Sequence, residues 1–152
     1  ISTRGKTAQV CSATSLGIMT YGLFCSPKFY QEWFKDGLTV ETIGRAPITR
    51  FNRDDQLNEM MLSTLFGSRT GKLSELFIPS SDAYLEILLS DLAYGVLPYM
   101  QCRKHIDAGE LIDCAPTSPL KIHLFWHCWN IKSELLASFT KHLTHNCNRL
   151  LY

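Results

Sequence analysis

The chain has 152 residues, of which 45% are hydrophobic, 11% aromatic and 19% charged. A chain of this length can bury a core large enough for one soluble globular domain, and its glycine and proline contents are too low for a collagen-like or low-complexity sequence. It contains 15 basic and 14 acidic residues, which gives a net charge of +1. This balance provides no strongly basic face with which the chain would bind nucleic acid through its phosphates.

We expect neither a membrane-spanning segment nor an N-terminal signal peptide in this sequence. No apolar run reaches the ~18 residues of a membrane helix, because polar and acidic residues interrupt the richest stretch, residues 84–100. Residues 1–15 are rich in Ser and Thr and lack the apolar segment of a signal peptide. We therefore expect a cytoplasmic protein with no membrane association. Because the first residue is Ile1 rather than Met, we expect the chain to be part of a longer protein.

The cysteines are far apart and form no Cys-x-x-Cys motif. An even number of cysteines in a chain of this length, without an export signal, is only a weak sign of disulfides. We expect reduced, mostly buried thiols. The six cysteines are Cys11, Cys25, Cys102, Cys114, Cys128 and Cys147.

Short apolar segments alternate with amphipathic ones along the chain, which predicts an α/β fold with a largely parallel sheet. Ligands of such sheets bind beyond the carboxyl ends of the strands, and this rule points to the loops after Phe51 and Pro79. In chain order, the predicted elements are a strand over 16–25, a helix over 27–34, a strand over 47–51, a helix over 57–65, a strand over 76–79, a helix beginning at 80–82, a strand over 94–97, a helix over 99–108, and strands over 111–112 and 121–129 followed by a helix over 133–145.

The segment Gly67–Lys72 has a superficial likeness to a phosphate-binding loop. Only three residues separate its glycines, and Leu73 stands where such a loop needs a magnesium-binding hydroxyl. The segment also follows a predicted helix rather than a strand. We interpret it as a basic turn that ends the helix.

Two further patterns give no catalytic or metal site. His123, His127 and Cys128 lie on a predicted strand without an acidic or second cysteine ligand nearby in sequence, so structural roles are the better interpretation. No cysteine lies in a glycine-rich turn and no Gly-x-Ser-x-Gly motif is present, although a Cys–His pair assembled in space stays open. We predict no metal, no cofactor and no enzymatic activity.

Asp54 and Asp55 follow a predicted strand and precede a predicted helix, and two interpretations stay open. Acidic side chains at a helix start interact favourably with the helix dipole. A carboxylate in a loop at a strand end is also suited to a cationic ligand.

From about Ser12 to His142 the chain resembles the effector-binding domain of LysR-type transcriptional regulators. Within this family it is most similar to the arginine- and lysine-responsive regulators, which are also described as inhibitors of chromosome initiation; residues 108–113 and 124–127 are the more particular signs. The segments that carry the resemblance are 16–25 followed by Ser26-Pro27, then 47–51 with its polar loop 52–55, then 80–83, 95–98 and 109–113.

The resemblance implies a fold like that of periplasmic binding proteins, in which crossing strands join two α/β lobes and a small effector binds between them. It implies a complete second lobe over about 14–100. Residues 1–13 and about 115–152 would be crossing segments and remnants of a first lobe that is only partly present. The N-terminal helix-turn-helix domain of the family would be absent from this chain. Asp91 stands where the family usually has a glycine, at the end of a helix.

By this resemblance, the chain would be the effector-sensing and oligomerisation part of a transcription regulator that responds to arginine or lysine. The regulator would form a homodimer or homotetramer and contact DNA only through its absent N-terminal domain. Two alternatives are a solute-binding lobe of a transport protein and a Cys–His hydrolase. The effector contacts that the resemblance implies are Ser2, Thr3, Phe51, Asn52, Asp54, Ser80 and Ser81.

Overall fold

The computed structural model describes residues 1–5, 10–67, 71–131 and 133–151, apart from the side chain of Asn148. The chain forms two compact units. The central unit is Tyr21–Leu120, and the terminal unit combines Ile1–Thr20 with Lys121–Tyr152. Residues 68–70 of the predicted turn after Gly67 lie outside the described part.

All the predicted helices and strands are present, and the structure adds one short helix, α2. This helix has only six residues and contains a glycine, so it has no apolar periodicity to reveal it. In chain order the elements are β1 (Cys11–Cys25), α1 (Pro27–Trp33), α2 (Val40–Arg45), β2 (Pro47–Arg50), α3 (Leu57–Phe66), β3 (Ser74–Phe77), α4 (Ser81–Leu89), β4 (Gly95–Pro98), α5 (Tyr99–Asp107), β5 (Ile112–Asp113), β6 (Leu120–Trp129) and α6 (Glu134–Leu150).

The strands pair in both directions, so the expectation of a largely parallel sheet is wrong. β2 and β3 are parallel, and a parallel bridge joins Ile48 to Tyr94 just before β4. The 15-residue strand β1, however, pairs antiparallel with β4 and with β5, and β6 also pairs with β1. Alternation of strands and helices predicts parallel neighbours only for strands joined by a crossover, and it carries no information on the direction of a long strand that precedes them.

Two helices begin as their sequences predict. The Ser26 hydroxyl accepts a hydrogen bond from the Phe29 amide (3.1 Å), with Pro27 in the first turn of α1. The Ser80 hydroxyl accepts one from the Ala83 amide (3.4 Å) at the start of α4. Each cap satisfies an amide that the first turn of a helix leaves without an intrahelical partner.

The Thr49 junction, which comprises Thr49, Asn58, Tyr84, Tyr94 and Val96, ties the strands of the central unit to two helices. The Thr49 carbonyl accepts hydrogen bonds from the Tyr84 hydroxyl (2.9 Å) and from Asn58 Nδ2 (2.8 Å). The Thr49 amide donates to the Tyr94 carbonyl (2.9 Å), and the Val96 amide donates to the Tyr84 hydroxyl oxygen (3.2 Å). All five residues are buried, so an unmatched polar group here would carry its full desolvation cost.

Asp91 takes the left-handed backbone conformation (φ 64°) after α4, where the resemblance led us to expect a glycine. Its carboxylate accepts hydrogen bonds from the Ser26 hydroxyl (2.6 Å) and from Lys28 Nζ (3.0 Å). The Ser26 hydroxyl thus donates to Asp91 while it accepts from the first turn of α1. These bonds offset the strain that the left-handed conformation imposes on a residue with a Cβ.

In the terminal unit, the end of α6 packs on β1 at a glycine. Gly17 has φ 120°, and a Cβ built there would lie 2.7 Å from the Leu151 Cβ. Trp126 of β6 donates from Nε1 to the Thr140 hydroxyl of α6 (3.1 Å), and its ring lies 5.6 Å from that of Phe139. Several large apolar side chains of this unit are exposed: Trp129, Ile131, Leu135, Phe139 and Leu150.

The cysteines are less buried than we expected. Only Cys25 and Cys102 are fully buried, and the other four are partly exposed. The reason is that Cys11, Cys128 and Cys147 lie in the terminal unit, where few side chains are fully enclosed. As for the membrane, no helix within the described residues is long and apolar enough to cross one.

We predict that Gly95→Ala destabilises the protein. A Cβ at this position would lie 2.7 Å from the Tyr84 hydroxyl oxygen and would overlap the Thr49 hydroxyl, so it would disrupt the Thr49 junction. Overpacking of this kind costs about 1–3 kcal/mol of unfolding free energy, measurable by urea denaturation. Gly71→Ala is the matched control because no atom of the described residues lies within 4 Å of its Cβ position. Equal stability of the two variants would contradict this account.

We also predict that Asp91→Ala lowers the melting temperature more than Asp91→Gly does. Both variants lose the bonds to Ser26 and Lys28, but only alanine keeps the strain of the left-handed conformation.

The stabilising effect of Asp91 is expected to depend on pH. Hydrogen bonds from Ser26 and Lys28 lower the pKa of Asp91 below the ordinary aspartate value of 3.8. The stabilisation is therefore present above pH 3.8 and is lost as the pH falls through the lower, folded-state pKa. Melting temperatures of the wild type and Asp91→Ala, which both keep a Cβ in the left-handed conformation, should converge in acid, and a constant difference would refute this.

Candidate functional site

A cavity of about 280 Å³ lies in the central unit at the carboxyl ends of β2 and β4. Its lining is mostly apolar and aromatic, with hydroxyl and amide groups and one carboxylate at its edge. Such a mixture, an apolar wall with a few polar groups, is typical of small-molecule sites. The described residues that line it are Tyr21, Phe51, Asp55, Leu57, Ser81, Tyr84, Val96, Leu97, Pro98 and Gln101.

The carboxylate of Asp55 is held in place by the backbone around it. Its Oδ1 accepts from the Leu57 amide (2.9 Å) and its Oδ2 from the Phe51 amide (3.4 Å). Asp55 precedes Gln56, the N-cap residue of α3, and its bond to the first amide of the helix agrees with the first of the two interpretations that the sequence left open. Each carboxylate oxygen can accept more than one hydrogen bond, so this capping leaves capacity for a cationic ligand, the second interpretation.

Arg50 fixes the loop that presents Asp55. Its Nε and Nη2 both donate to the Asp55 carbonyl, at 3.0 and 2.5 Å. The same guanidinium forms ion pairs with Glu59 of α3 and with Glu75 of β3 (Nη1 to Oε1, 2.5 Å). Because its side chain is only 11% exposed and its charge is matched by two carboxylates, Arg50 acts as a rigid support for the loop.

Tyr21 faces the same region from β1. Burial and, secondarily, the negative charge of Asp55 raise the pKa of Tyr21. The phenol therefore keeps its proton at neutral pH and remains a hydrogen-bond donor. Tyr84, by contrast, uses its hydroxyl within the Thr49 junction and contributes its ring to the cavity wall.

A second, more open cavity of the central unit has a volume of about 780 Å³ and includes Arg50, Arg53 and Glu59 in its lining. The charges of Arg50 and Glu59 are already paired with one another. The smaller cavity, whose carboxylate faces no cationic side chain among the described lining residues, is therefore the better candidate site.

The predicted effector contacts fall into three groups. Phe51 and Ser81 line the smaller cavity. Asn52, Asp54 and Ser80 lie in the adjoining segments without being part of its lining. The Asn52 side chain accepts from the Asp54 amide (2.9 Å), Asp54 is exposed, and Ser80 caps α4.

Ser2 and Thr3 belong to the terminal unit. Ser2 exchanges backbone hydrogen bonds with Phe125 of β6, and its hydroxyl accepts from the Arg4 amide (3.0 Å). Thr3 is exposed.

Sequence reasoning did not identify Tyr21 or Gln101 as cavity residues. Gln101 reaches the cavity from the first turns of α5, where its Nε2 donates to the Ser81 carbonyl (3.3 Å). The sequence shows a glutamine at position 101 but not which residue it contacts, because that residue, Ser81, lies 20 positions earlier in the chain. Asp55 was considered beside Asp54, and only the fold distinguishes the two.

No protein-family model matches the chain. Several proteins that are similar in sequence are transcriptional regulators named ArgP. The transcriptional regulator ArgP of Vibrio parahaemolyticus is 28% identical over 151 residues, covering 99% of this chain and 51% of the relative. ArgP of Vibrio cholerae (El Tor Inaba N16961) is 31% identical over 134 residues, covering 88% and 45%. The chain therefore spans about half the length of these relatives.

Solved structures agree with the sequence matches. The C-terminal domains of a LysR family protein from Agrobacterium tumefaciens superpose with a TM-score of 0.93 and 29% identity, covering 99% of this chain and 72% of that one. Full-length LysG of Corynebacterium glutamicum with its effector Arg bound gives a TM-score of 0.84 over 96% of this chain and 49% of that one; at 23% identity it shows the shared fold alone. The periplasmic-binding-protein-like regulatory fold that we expected is thereby confirmed, and the chain belongs to the LysR family, corresponding to part of its effector-binding region.

Proposed function

We propose that this chain is the effector-sensing part of a regulator of DNA-dependent transcription and that its effector is a basic amino acid, arginine or lysine. The observation that carries the proposal is the cavity of about 280 Å³, in which Asp55 is the only charged residue among the described lining residues. A single carboxylate beside aromatic and apolar walls suits a guanidinium or ammonium group with an aliphatic stem.

Two further observations support a basic effector. Phe51 is 38% exposed and lines the same cavity as Asp55, so its ring face offers a second favourable interaction for a cation. LysG, which shares this fold, has arginine as its bound effector. The Ser81 hydroxyl and the Tyr21 phenol add donors for the rest of the ligand.

In this proposal, the second lobe spans about residues 14–100, most of which lie in the central unit. Residues 1–13 and about 115–152 are crossing and first-lobe segments, and Ser2 and Thr3 remain proposed effector contacts beside those of the cavity. The intact regulator is cytoplasmic and binds DNA through an N-terminal helix-turn-helix domain. Effector binding shifts its conformational equilibrium, a role that requires no covalent chemistry.

The prediction that tests the proposal is a thermal shift with L-arginine or L-lysine. A ligand at 100 times its dissociation constant adds about 2.7 kcal/mol of stability. Asp55→Asn should reduce the affinity at least about tenfold, because a hydrogen bond to a charged group contributes about 1.5–3 kcal/mol. Asparagine retains an oxygen that can accept from the Leu57 amide, so the variant should keep the start of α3.

Asp54→Asn is the matched control, since it removes the same charge one residue away from an exposed side chain outside the cavity lining. L-citrulline, which has the shape of arginine without its charge, and L-leucine are the control ligands. Equal shifts with arginine and citrulline, or equal loss of binding in both variants, would contradict the role of Asp55. If neither L-arginine nor L-lysine raises the melting temperature, the proposal that a basic amino acid is the effector of this chain is contradicted.

We also propose that the regulator self-associates as a homodimer or homotetramer. The support in this chain is the exposed apolar surface of the terminal unit, where Leu135 is 82% and Phe139 53% exposed. Exposed apolar clusters of this kind commonly mark protein interfaces.

Sedimentation velocity over a range of concentrations should show species larger than the monomer. Leu135→Asp combined with Phe139→Asp should shift the distribution towards the monomer, because the charges oppose burial of this surface. Glu134→Asp leaves the apolar side chains unchanged and serves as the control. A wild-type chain that is strictly monomeric at high concentration would refute self-association.

A further inference from the structure

Two cysteines that are far apart in sequence lie in contact within the central unit. Cys25, the last residue of β1, and Cys114, which directly follows β5, have their sulfur atoms 3.4 Å apart. They are separated by 89 positions in the chain. The cysteines of the sequence gave no sign of this pair, because nothing in their spacing links these two.

The backbone holds the pair together. The antiparallel register of β1 and β5 pairs Cys25 with Ile112 and Phe24 with Asp113. The Cys114 amide continues this pattern by donating to the Leu23 carbonyl (2.7 Å). Because side chains two residues apart on a strand share a face, Cys25 and Cys114 are diagonal neighbours on one face of the pairing.

The two thiols differ in exposure. Cys25 is fully buried, whereas Cys114 is partly exposed. Of the two residues, Cys114 is therefore the one that an oxidant dissolved in water meets first. In an oxidation that starts from solvent, Cys114 would therefore react first with the oxidant, and Cys25 would then react with Cys114.

We propose that Cys25 and Cys114 are a site of reversible disulfide formation driven by a hydroperoxide. The Cys114 thiolate attacks one peroxide oxygen and breaks the O–O bond, which yields a sulfenic acid at Cys114 and, for hydrogen peroxide, one water. The Cys25 sulfur then attacks the Cys114 sulfur, the S–O bond breaks, and a second water leaves with the Cys25 proton. In total, two thiols and one hydrogen peroxide give one disulfide and two waters. This proposal is independent of the effector.

Closing the disulfide requires the two sulfur atoms to move from 3.4 Å to bonding distance. A disulfide requires its sulfur atoms to approach to about 2.05 Å, and they already start in contact. The hydrogen bond with Cys25, followed by burial, raises the pKa of the Cys114 thiol, so little thiolate exists at neutral pH. Oxidation should therefore be slow at pH 7 and faster by about tenfold per pH unit while the pH stays below that pKa.

The test is treatment of the purified chain with hydrogen peroxide between pH 7 and 9, followed by thiol titration and peptide mapping by mass spectrometry. The number of titratable thiols should fall by two, with Cys25 and Cys114 in one cross-linked peptide pair that dithiothreitol separates. Because the bond closes a long loop, the melting temperature should rise by about 5–10 °C and return after reduction.

Two variants and a control separate the roles of the thiols. In Cys25→Ala, Cys114 should accumulate as a sulfenic acid that dimedone traps, and its labelling rate should rise because its hydrogen bond with Cys25 is gone. Cys114→Ser should leave Cys25 unreactive. Because position 114 is partly exposed and serine is polar, this variant provides a test even if Cys25→Ala folds poorly. Cys147→Ser, in the terminal unit, should behave like the wild type in disulfide formation.

Oxidation that consumes the other thiols without linking Cys25 to Cys114 would overturn the proposal. So would cross-links that form mainly between chains, or a Cys25→Ala variant in which dimedone labels Cys114 no more than it labels Cys147.

Discussion

The carbonyl of Thr49 is the acceptor on which the central unit depends. It lies in β2, yet it receives hydrogen bonds from Tyr84 of α4 and Asn58 of α3. These donors replace the further strand partner that a buried carbonyl would otherwise need, and each unmade bond would leave a buried polar group unsatisfied. The position of both helices relative to β2 follows from this one group.

The candidate site is a consequence of the same junction. Tyr84 bonds to Thr49 with its hydroxyl and lines the cavity with its ring, so the group that joins the strands also shapes the wall. Gly95 lies where any Cβ would meet Tyr84, which explains why β4 begins with a glycine. Arg50, one residue after Thr49, then holds the Asp55 loop through the Asp55 carbonyl. A strand end, two helix starts and a loop are thus positioned by a few adjacent residues of β2.

Local signals in the sequence were sufficient to predict most helices and strands, but they did not predict most residues of the candidate site. The serine caps at Ser26 and Ser80 could be predicted because a cap involves residues three apart. The direction of β1 could not, because it depends on partners more than 70 residues away. Tyr21 is a further example: as a residue of an apolar strand it looked like core, and only the fold brings its phenol near Asp55. The resemblance to the LysR family supplied the architecture that periodicity missed.

Asp54 and Asp55 show how a fold distinguishes two residues that sequence reasoning treats as equivalent. Both carry a carboxylate at the end of the same strand. Arg50 donates hydrogen bonds to the carbonyl of Asp55, and the Leu57 amide donates to the Oδ1 of Asp55. The Asp55 side chain is therefore fixed beside the cavity. Asp54 is bound only through its own amide, by Asn52, and its side chain extends into solvent. A carboxylate that is held rigidly beside apolar walls loses less conformational entropy on binding a cation than a mobile carboxylate in solvent does. Water also screens its charge less. Preorganisation of Asp55 by the backbone is therefore the feature that gives this loop the capacity to select a charged ligand.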